Sequence, residues 1–402
     1  MSKALLEIVG RDSRLYIDPG ETLREVANRL GIKTVEYIPT VNGEVVTWDY
    51  KVSEEDKVKL IPVISGGGGC IICGETPVYS YVGRVYCKKH FIEYIERKVL
   101  NTIYKYGLID EGDHIAVAVS GGKDSLTLLN ILNKYKGELS IELSALIIDE
   151  GISGYRDLTI QDFIDINRRL GVRYRVISYK DVFGLPLDEI LRLAGRIGAP
   201  VYPCSYCGVF RRYLINIGAR IMGADKLATG HNLDDMIQTF ILNIVTNSLE
   251  RILHLEPKTM SADHPLLIPR IKPLYETLEM ETALYALLNG LYPRFIECVY
   301  APEALRNDIR DLINHMEEEN PGIKQVLLNS MLKIIEDYKG GETPKINSCG
   351  ICGEPTSGEI CRTCAYLDRL GILERLLDWR REVGLESDET IVSKKLHRQE
   401  SS

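Results

Sequence analysis

The chain has 402 residues, of which 45% are hydrophobic and 26% charged, as in globular proteins long enough for two to four domains. No apolar run approaches the ~20 residues of a membrane-spanning helix, and the net charge of -8 excludes a globally basic nucleic-acid-binding protein. The N-terminus lacks the long apolar core of a signal peptide, so we expect a cytoplasmic protein whose ten cysteines serve metal sites or catalysis rather than disulfides.

The first 64 residues carry the pattern of a small sheet with one helix. Strands are predicted over Ala4 to Val9 and Arg14 to Ile17, and a helix with one apolar face follows them. Val41-Asn42-Gly43-Glu44 is typical of a hairpin turn, and a strand over Lys57 to Ile64 closes the unit. This ββαββ order predicts a β-grasp fold.

The run Ser65-Gly66-Gly67-Gly68-Gly69-Cys70 is either a flexible linker or the end of a carrier domain. Segment 1–67 resembles the ubiquitin-like sulfur carriers, in which an E1-like activating enzyme adenylates a terminal Gly-Gly before it becomes a thiocarboxylate. Gly67 matches that terminal glycine only if the chain is cut after it, because Gly68 follows. Without the cut, the unit would be a tethered docking or tRNA-binding domain.

Two sets of paired ligands predict two zinc ions. Each set joins two CxxC or CxxH pairs through a loop, a spacing that lets four ligands converge on one tetrahedral ion. Four ligands leave no open coordination position, so both zinc ions are expected to be structural. The ligands are Cys70, Cys73, Cys87 and His90 in the first set, and Cys349, Cys352, Cys361 and Cys364 in the second.

From His114 the predicted strands and helices alternate, which indicates a parallel sheet covered by helices on both faces. Residues 245–340 lack clear strands and are predicted to be helical, and one charged amphipathic helix is predicted over Leu367 to Val383 before a polar tail, Ser393 to Ser402. The predicted domains are residues 1–67, 68–98, 99–340 and 341–402, with zinc modules in the second and fourth.

A β-branched strand over Ala116 to Val119 runs directly into Ser120-Gly121-Gly122-Lys123-Asp124-Ser125. Two glycines before a helix let the backbone approach a ligand, and the first amides of the helix face an anion. The stretch differs from GxxxxGK[ST], so it is not the loop of the common nucleotide-hydrolysing proteins. We expect a phosphate group here.

Three cysteines remain outside the zinc sets: Cys204, Cys207 and Cys298. Cys204-Ser205-Tyr206-Cys207 begins a predicted helix, and Cys298 lies about ninety residues further on. One interpretation is a redox dithiol plus a buried apolar cysteine. The other is an iron-sulfur cluster with three cysteine ligands, whose fourth iron binds sulfur.

The Ser120 to Ser125 motif resembles the phosphate loop of the PP-loop ATP pyrophosphatases. The order of motifs along the chain is similar to that of the tRNA 2-thiouridine synthetases of the TtuA type. The order is the cysteine-histidine site, the loop, CxxC, Ala228-Thr229-Gly230-His231-Asn232-Leu233-Asp234-Asp235, a lone cysteine and the four-cysteine site. The resemblance covers residues 70 to about 370. It implies an α/β fold with a PP-loop (adenine nucleotide alpha hydrolase-like) core, here preceded by a β-grasp domain and flanked by zinc modules.

The same resemblance implies site residues. Lys123, Asp124 and Asp235 would act in catalysis, together with Cys204, Cys207 and Cys298, which would hold a 4Fe-4S cluster. ATP with Mg²⁺ would contact the loop residues and four positions outside them: Ala118, Ser120, Gly121, Gly122, Lys123, Asp124, Ser125, Ile148, Arg211 and Gly230. Asn232 and Asp234 also fit plain helix caps, and His231 fits either a helix start or a substrate contact.

The implied reaction adenylates the C2 oxygen of a tRNA uridine, at T-loop position 54, and replaces that oxygen with sulfur. The alternatives are thiolation of the wobble uridine or of a cytidine, amide or NAD synthesis with the same loop, and a zinc-bearing RNA-binding scaffold without catalysis. The family suggests a homodimer. Candidate tRNA phosphate contacts are Arg211, Arg212, Arg220, Arg369, Arg375, Arg380 and Arg381.

Overall fold

The computed structural model describes residues 3–8, 14–32, 34, 37–42, 44–62, 69–259, 264–291, 298–300, 304–338 and 346–385. Gly67 and the polar tail Ser393 to Ser402 lie outside these residues. Within the described ranges, no helix combines the length and the apolar character needed to cross a bilayer.

The N-terminal unit is a five-stranded mixed sheet packed on one helix. Its elements are β1 (Ala4–Ile8), β2 (Arg14–Ile17), α1 (Leu23–Arg29), β3 (Tyr37–Val41), β4 (Glu44–Val45) and β5 (Lys57–Pro62). The strand order is β2-β1-β5-β3-β4, with β1 and β5 parallel at the centre. Helix α1 begins in a capping box between Thr22 and Glu25, and Gly31 follows its end at φ 66°. The predicted β-grasp elements are therefore present, with one strand more than expected.

A short cysteine-bearing segment leads from this unit into the main domain. It contains the hairpin of β6 (Tyr79–Tyr81) and β7 (Arg84–Tyr86), followed by α2 (Lys88–Lys105), which starts directly after Cys87. Tyr79 is fully buried, and its hydroxyl donates to Glu281 Oε1 at 2.8 Å. The segment is thereby anchored to the main domain.

The main domain alternates strands and helices as predicted. Its elements are β8 (His114–Ala118), α3 (Lys123–Tyr135), β9 (Glu142–Asp149), α4 (Arg156–Leu170), β10 (Arg173–Ser178), α5 (Tyr179–Phe183), α6 (Leu187–Arg196), α7 (Pro203–Ile221), β11 (Lys226–Thr229) and α8 (Leu233–Val245). The helices α5 and α6 were not predicted. Strands β10, β9, β8 and β11 are adjacent and parallel.

The prediction of a helical segment without strands over 245–340 is wrong. A short 3₁₀ helix (Leu249–His254) precedes two strands, β12 (Lys258–Thr259) and β13 (Arg270–Ile271), and β13 extends the sheet in parallel beside β11. Two-residue strands are too short to show an alternating pattern. The helices that follow are α9 (Glu279–Leu288), α10 (Ala304–Glu319) and α11 (Ile323–Tyr338).

The C-terminal segment contains β14 (Asn347–Ser348), β15 (Pro355–Thr356), α12 (Arg362–Arg369) and α13 (Leu373–Glu382). The single helix predicted over Leu367 to Val383 is therefore two helices. They are separated at Gly371, whose φ of 68° ends α12. The apolar pattern continues across Gly371, and for this reason the sequence pattern did not reveal the break between the two helices.

The central sheet is covered on both faces. Ile115 and Val117 of β8 point to the core formed with α2, α3, α4 and α9. The alternate residue Ala116 points to the other core, which contains α5, α6, α7 and the C-terminal cysteines. Burial on both faces explains the continuous apolar strands of the sequence. The N-terminal unit packs on the first of these faces, where Ile38 joins the core and Lys59 Nζ lies 3.1 Å from Glu318 Oε1.

Candidate nucleotide and cysteine sites

The predicted phosphate loop lies between the end of β8 and the start of α3. Gly121 has a φ of 86°, and a Cβ at this position would lie 2.6 Å from the carbonyl oxygen of Thr159. Ser125 Oγ accepts from Ser120 N at 3.2 Å and donates to the Gly122 carbonyl at 2.9 Å. Gly122 is the N-cap of α3 and offers no side chain to the first amides. These amides remain available to an anion.

A cavity of about 280 Å³ opens beside this loop at the carboxyl ends of the strands. It contains most of the predicted ATP contacts: Ala118, Ser120, Asp124, Ser125, Ile148, Arg211, Gly230 and also Asp235. Gly121, Gly122 and Lys123 adjoin it without lining it. A larger cleft of about 820 Å³ lies beside the C-terminal cysteines, and none of the phosphate-loop residues lines it. We therefore take the smaller cavity as the candidate nucleotide site.

Lys123 points away from the cavity into an acidic cluster. Its Nζ lies 2.8 Å from Glu279 Oε1 and 3.2 Å from Asp124 Oδ2. Burial disfavours the charged ammonium, but Asp124 and Glu279 outweigh it, so the pKa of Lys123 is raised. Glu279 was missed by the sequence analysis because it lies 156 residues away at the start of α9. Its carboxylate holds the Lys123 ammonium in place.

Asp235 is both a helix cap and a cavity residue. Asn232 N donates to Asp235 Oδ2 at 3.1 Å, and Asp235 N donates to Asn232 Oδ1 at 3.0 Å, so the two form a capping box. The 35% of the Asp235 side chain that is exposed faces the cavity rather than open solvent. Burial, together with Asp124 and Glu279, raises the pKa of Asp235 to about 7.

Asp234 has a structural role instead. Its side chain is buried, pairs with Lys324 Nζ of α11 and accepts from Glu279 N at 2.7 Å. It ties α8 to α9 and α11, which makes it more than the helix cap that its position suggested.

A buried carboxylate that the sequence analysis did not identify joins three parts of the site. Glu150 follows β9, and its oxygens lie 2.8 Å from Arg156 Nε and 2.7 Å from Arg211 Nε. Arg156 also donates to the carbonyls of Ser120 and Ile148, and thereby fixes the phosphate loop to the end of β9. Glu150 could have been identified from its position, because it follows a predicted parallel strand and ligands bind at the carboxyl ends of such strands.

The first turns of α7 carry Cys204 and Cys207, and Arg211 on the same helix lines the cavity. Cys207 Sγ accepts from Arg211 Nη2 at 2.9 Å, and Cys204 Sγ lies 3.3 Å from the carbonyl oxygen of Tyr300. Cys298 packs against the core that contains Cys207. The structure therefore brings the segment of the third cysteine near the start of α7, but among the described residues the three sulfur atoms do not form a compact group like the two four-ligand sets.

The two predicted zinc sets each form one compact cluster, with all four ligand atoms within 4.8 Å of one another. Bonds of about 2.3 Å in a tetrahedron place two sulfur ligands about 3.8 Å apart. The separations of 3.7 Å for Cys73–Cys87 and for Cys352–Cys361 match this value. In the first set, His90 Nδ1 lies 3.3 Å from Cys70 Sγ. Both sets fit one tetrahedral ion each.

The repeated Cys-x-x-Cys-Gly-Glu sequence forms the same turn twice. Cys70 N donates to the Glu75 carbonyl at 2.8 Å, and Cys349 N donates to the Glu354 carbonyl at 2.8 Å. Gly69 belongs to the first turn, because a Cβ there would lie 2.1 Å from the carbonyl oxygen of Gly74. The last glycine of the four-glycine run therefore serves the cysteine cluster and is not linker.

Two of the predicted tRNA contacts are wrong. The Arg220 side chain is 4% exposed, and Arg380 as a residue is 4% exposed. Both bind Glu354 Oε1, at 2.5 Å and 2.8 Å. They hold the C-terminal cysteine module against α7 and cannot reach a phosphate. Arg211 is bound to Glu150 and Cys207 at the cavity wall. Arg212 remains exposed on α7.

Comparisons with known proteins agree with this arrangement. Residues 92–316 match the PP-loop domain, and residues 3–67 match the ThiS family. The tRNA 2-thiolation protein NcsA of Haloferax volcanii is 33% identical over 75% of this chain and 98% of its own. The tRNA-5-methyluridine(54) 2-sulfurtransferase of Pyrococcus horikoshii is 35% identical over 74% of this chain and 93% of its own. The structure of the U34-tRNA thiolase NcsA from Methanococcus maripaludis, with its 4Fe-4S cluster, has a TM-score of 0.67 and 32% identity, covering 77% of this chain and 98% of that one.

Proposed function

Because this chain belongs to the PP-loop family of tRNA 2-thiolation proteins, we propose that it uses ATP to replace an oxygen of a tRNA uridine with sulfur. The observation that carries the proposal is the position of Arg211. This one side chain lines the nucleotide cavity and donates to Cys207, so the adenylation and sulfur sites adjoin each other.

In the proposed adenylation step, the uridine C2 oxygen attacks the α-phosphorus of ATP and pyrophosphate leaves. The amides that begin α3 bind the departing phosphates, and Lys123 exchanges its contact with Glu279 for a phosphate oxygen. Asp124 and Asp235 present carboxylate oxygens to the cavity, the ligand type that Mg²⁺ prefers, so these residues would hold the ion. Bound Mg²⁺ would neutralise charge on the phosphates.

In the sulfur step, hydrosulfide attacks C2 of the adenylated uridine and AMP leaves with the original oxygen. Cys204, Cys207 and Cys298 are the residues that would hold a 4Fe-4S cluster, and three cysteines leave one iron open to bind sulfide. Arg211, which lines the cavity, donates to Cys207 Sγ and so fixes that side chain beside the cavity wall. Tyr300 supports the start of α7 through its contact with Cys204.

The two four-ligand clusters are proposed to hold one Zn²⁺ each. Their side chains fit a tetrahedral ion and leave no open position for chemistry. Each would fold a segment that has little core of its own and fix it against the main domain.

The sulfur donor is proposed to be the N-terminal domain after a cut behind Gly67. Gly67 precedes Cys70 by three positions, so while the chain is uncut Gly67 stays within about 10 Å of that cluster ligand. That cluster adjoins α2 and α9 on one face of the sheet, whereas Cys207 lies in the core on the other face. An uncut Gly67 is therefore held on the face away from Cys207, and the cut would free it. Hydrolysis of the Gly67–Gly68 bond leaves a free carboxylate, which an E1-like enzyme would adenylate with ATP before sulfide converts it to a thiocarboxylate.

Intact-mass measurement of protein from its native host tests this cut. Two chains that meet between Gly67 and Gly68 are expected. A single active chain of 45.4 kDa would contradict the cut, and the N-terminal unit would then be a docked domain without a donor role.

We retain T-loop position 54 as the proposed target and the wobble uridine as the alternative. The similar proteins include one named for position 54 and one named for U34, at identities of 35% and 32%, so similarity does not separate the two positions. A homodimer and a cytoplasmic location are also proposed. Relatives named cytoplasmic tRNA 2-thiolation protein 1, such as that of Mus musculus at 33% identity, support the location.

One experiment tests the function. The protein is purified without oxygen, its iron content is measured, and ATP, sulfide and tRNA are supplied before the modified base is mapped by mass spectrometry. Formation of 2-thiouridine with equal release of AMP is expected, and the mapped position decides between 54 and 34. Binding of tRNA without pyrophosphate release would favour the scaffold alternative, and activity without iron would contradict the cluster.

A further inference from the structure

Three arginines from distant parts of the chain meet beside the cysteine end of α7. They are Arg212 of α7, Arg270 of β13 and Arg362 at the start of α12, and we call them the arginine rim. Arg270 Nη2 lies 3.4 Å from the carbonyl oxygen of Arg212. Sequence analysis could not identify the rim, because it did not predict β13.

The geometry places the rim next to the reacting groups. The guanidinium of Arg212 folds back over Gly208, directly after Cys207, with Nη1 3.3 Å from the position of a Cβ there. Tyr206 and Tyr366 have ring centroids 4.7 Å apart, which brings α12 and its first residue Arg362 to the same turn of α7. Strand β13 pairs with β11, whose end carries the cavity residues Gly230 and His231.

The positive charge of the rim is not neutralised within the described part of the chain. No ion pair joins any of the three arginines to a carboxylate there, in contrast to Arg211, Arg220 and Arg380. Although Arg212 is exposed as a residue, its guanidinium lies against Gly208, and this partial burial together with Arg362 and Arg211 lowers the pKa of Arg212. Burial and Arg212 lower the pKa of Arg270. Like charges held together at a cost are stabilised when an anion binds.

We infer that the arginine rim binds a backbone phosphate of the tRNA beside the target nucleotide. The inference rests on the proposed function. Planar guanidinium groups bind phosphate oxygens in pairs, and phosphodiester contacts position an RNA without reading its sequence. None of the three arginines lines the nucleotide cavity, and the triphosphate has its own amides at α3. The RNA is therefore the phosphate source that the position favours.

The test uses Arg212→Gln, Arg270→Gln and the double variant in the full chain. Dissociation constants for tRNA are measured at several salt concentrations, and affinity for an ATP analogue is measured in parallel. We expect the double variant to bind tRNA about 10- to 100-fold more weakly and to lower the salt slope by about two, with unchanged ATP affinity. Arg212→Lys and Arg270→Lys should keep the salt slope because they keep the charge, and should lose less tRNA affinity than the glutamine variants.

The matched control is Arg168→Gln on α4, an exposed arginine on the opposite face of the sheet. Thermal unfolding of every variant confirms that the fold is kept. Wild-type tRNA affinity and salt slope in the double variant would overturn the inference, as would a loss of ATP affinity alone, which would assign the rim to the triphosphate. Failure of the wild type to thiolate any tRNA would instead sink the proposed function.

Discussion

Arg211 donates from Nη2 to Cys207 Sγ at 2.9 Å while its Nε lies 2.7 Å from the buried carboxylate of Glu150. The guanidinium thus links the candidate cluster ligand to the carboxylate that also holds Arg156 and, through it, the phosphate loop. A lysine ammonium cannot make both contacts in this geometry, because they need the two separate nitrogen donors of a planar guanidinium.

Arg211→Lys should therefore impair both halves of the reaction. We expect ATP affinity to fall about tenfold, since one charge-assisted hydrogen bond contributes about 1.5–3 kcal/mol, and sulfur transfer to fall further. Calorimetric titration with an ATP analogue and the rate of thiouridine formation provide the measurements. Arg212→Lys at the adjacent position should keep ATP affinity, and equal behaviour of the two variants would show that the fork of Arg211 is unimportant.

Gly230 packs directly against the start of α3. A Cβ at this position would lie 2.8 Å from Ser125 N, so Gly230→Ala must displace the loop or the helix. Overpacking of this kind costs about 1–3 kcal/mol, and we expect ATP affinity to fall at least tenfold. Gly137→Ala is the control, because nothing lies within 4 Å of its Cβ. Unchanged ATP binding by Gly230→Ala would exclude this glycine from the nucleotide site.

The local motifs could be predicted from sequence because each is encoded by neighbouring residues. The zinc ligands come in pairs three residues apart, and the phosphate loop is one stretch between a strand and a helix. The partners of those motifs could not be predicted. Glu279 lies 156 residues after Lys123, and it looks like any acidic residue in the first turn of a helix.

The basic residues show the same limit. Arg220 and Arg212 lie on one helix and look alike in sequence, but one is buried against Glu354 and the other is exposed. The two can be told apart only from the docking of the C-terminal module, which places Glu354 against Arg220 although the two residues are 134 positions apart in sequence. A charge pattern on a helix therefore predicts a polar face without saying which charges are free to bind a ligand.

Glu354 should be essential for the stability of the C-terminal module. Both arginines that it binds are buried, so Glu354→Ala leaves two cations without a carboxylate to neutralise them, at a cost of about 3–5 kcal/mol. Urea unfolding measures this loss. Asp378→Ala removes a similar ion pair, with Arg381, that is about half exposed, and should cost less than about 1 kcal/mol. Similar values for both variants would contradict the structural role of Glu354.

The two proposed zinc ions should differ in their rates of release. Cys73 of the first cluster is exposed, whereas all four ligands of the second are buried. A chelator should therefore remove zinc in two phases, observed with a colorimetric indicator. We expect Cys73→Ala to abolish the fast phase and Cys364→Ala to abolish the slow one. The reverse assignment of the two phases, or release in a single phase, would show that ligand burial does not set the rate of zinc release.

His231 should remain neutral well below the pH at which histidine usually gains a proton. Burial and the nearby cations Lys272, Arg270 and Arg306 lower its pKa to about 4, from an ordinary value near 6.5. The unfolded chain therefore binds more protons between these values, so native stability is complete above pH 6.5 and declines as the pH falls toward 4. Its Nδ1 lies 2.8 Å from Thr229 Oγ1, which orients the ring in the cavity.

His231→Asn should remove this acid-dependent loss. Because the ring is exposed to the cavity, we expect only about 1 kcal/mol of added stability relative to the wild type at pH 5, and no difference at pH 7.5. Urea unfolding at the two pH values, with a ring-nitrogen NMR titration of the wild type, provides the measurement. His315→Asn on α10, a histidine outside the cavity, is measured in parallel as the substitution control. A His231 ring that titrates near pH 6.5 would show that the surrounding cations do not act on it, and the positive potential assigned to this side of the cavity would then be wrong.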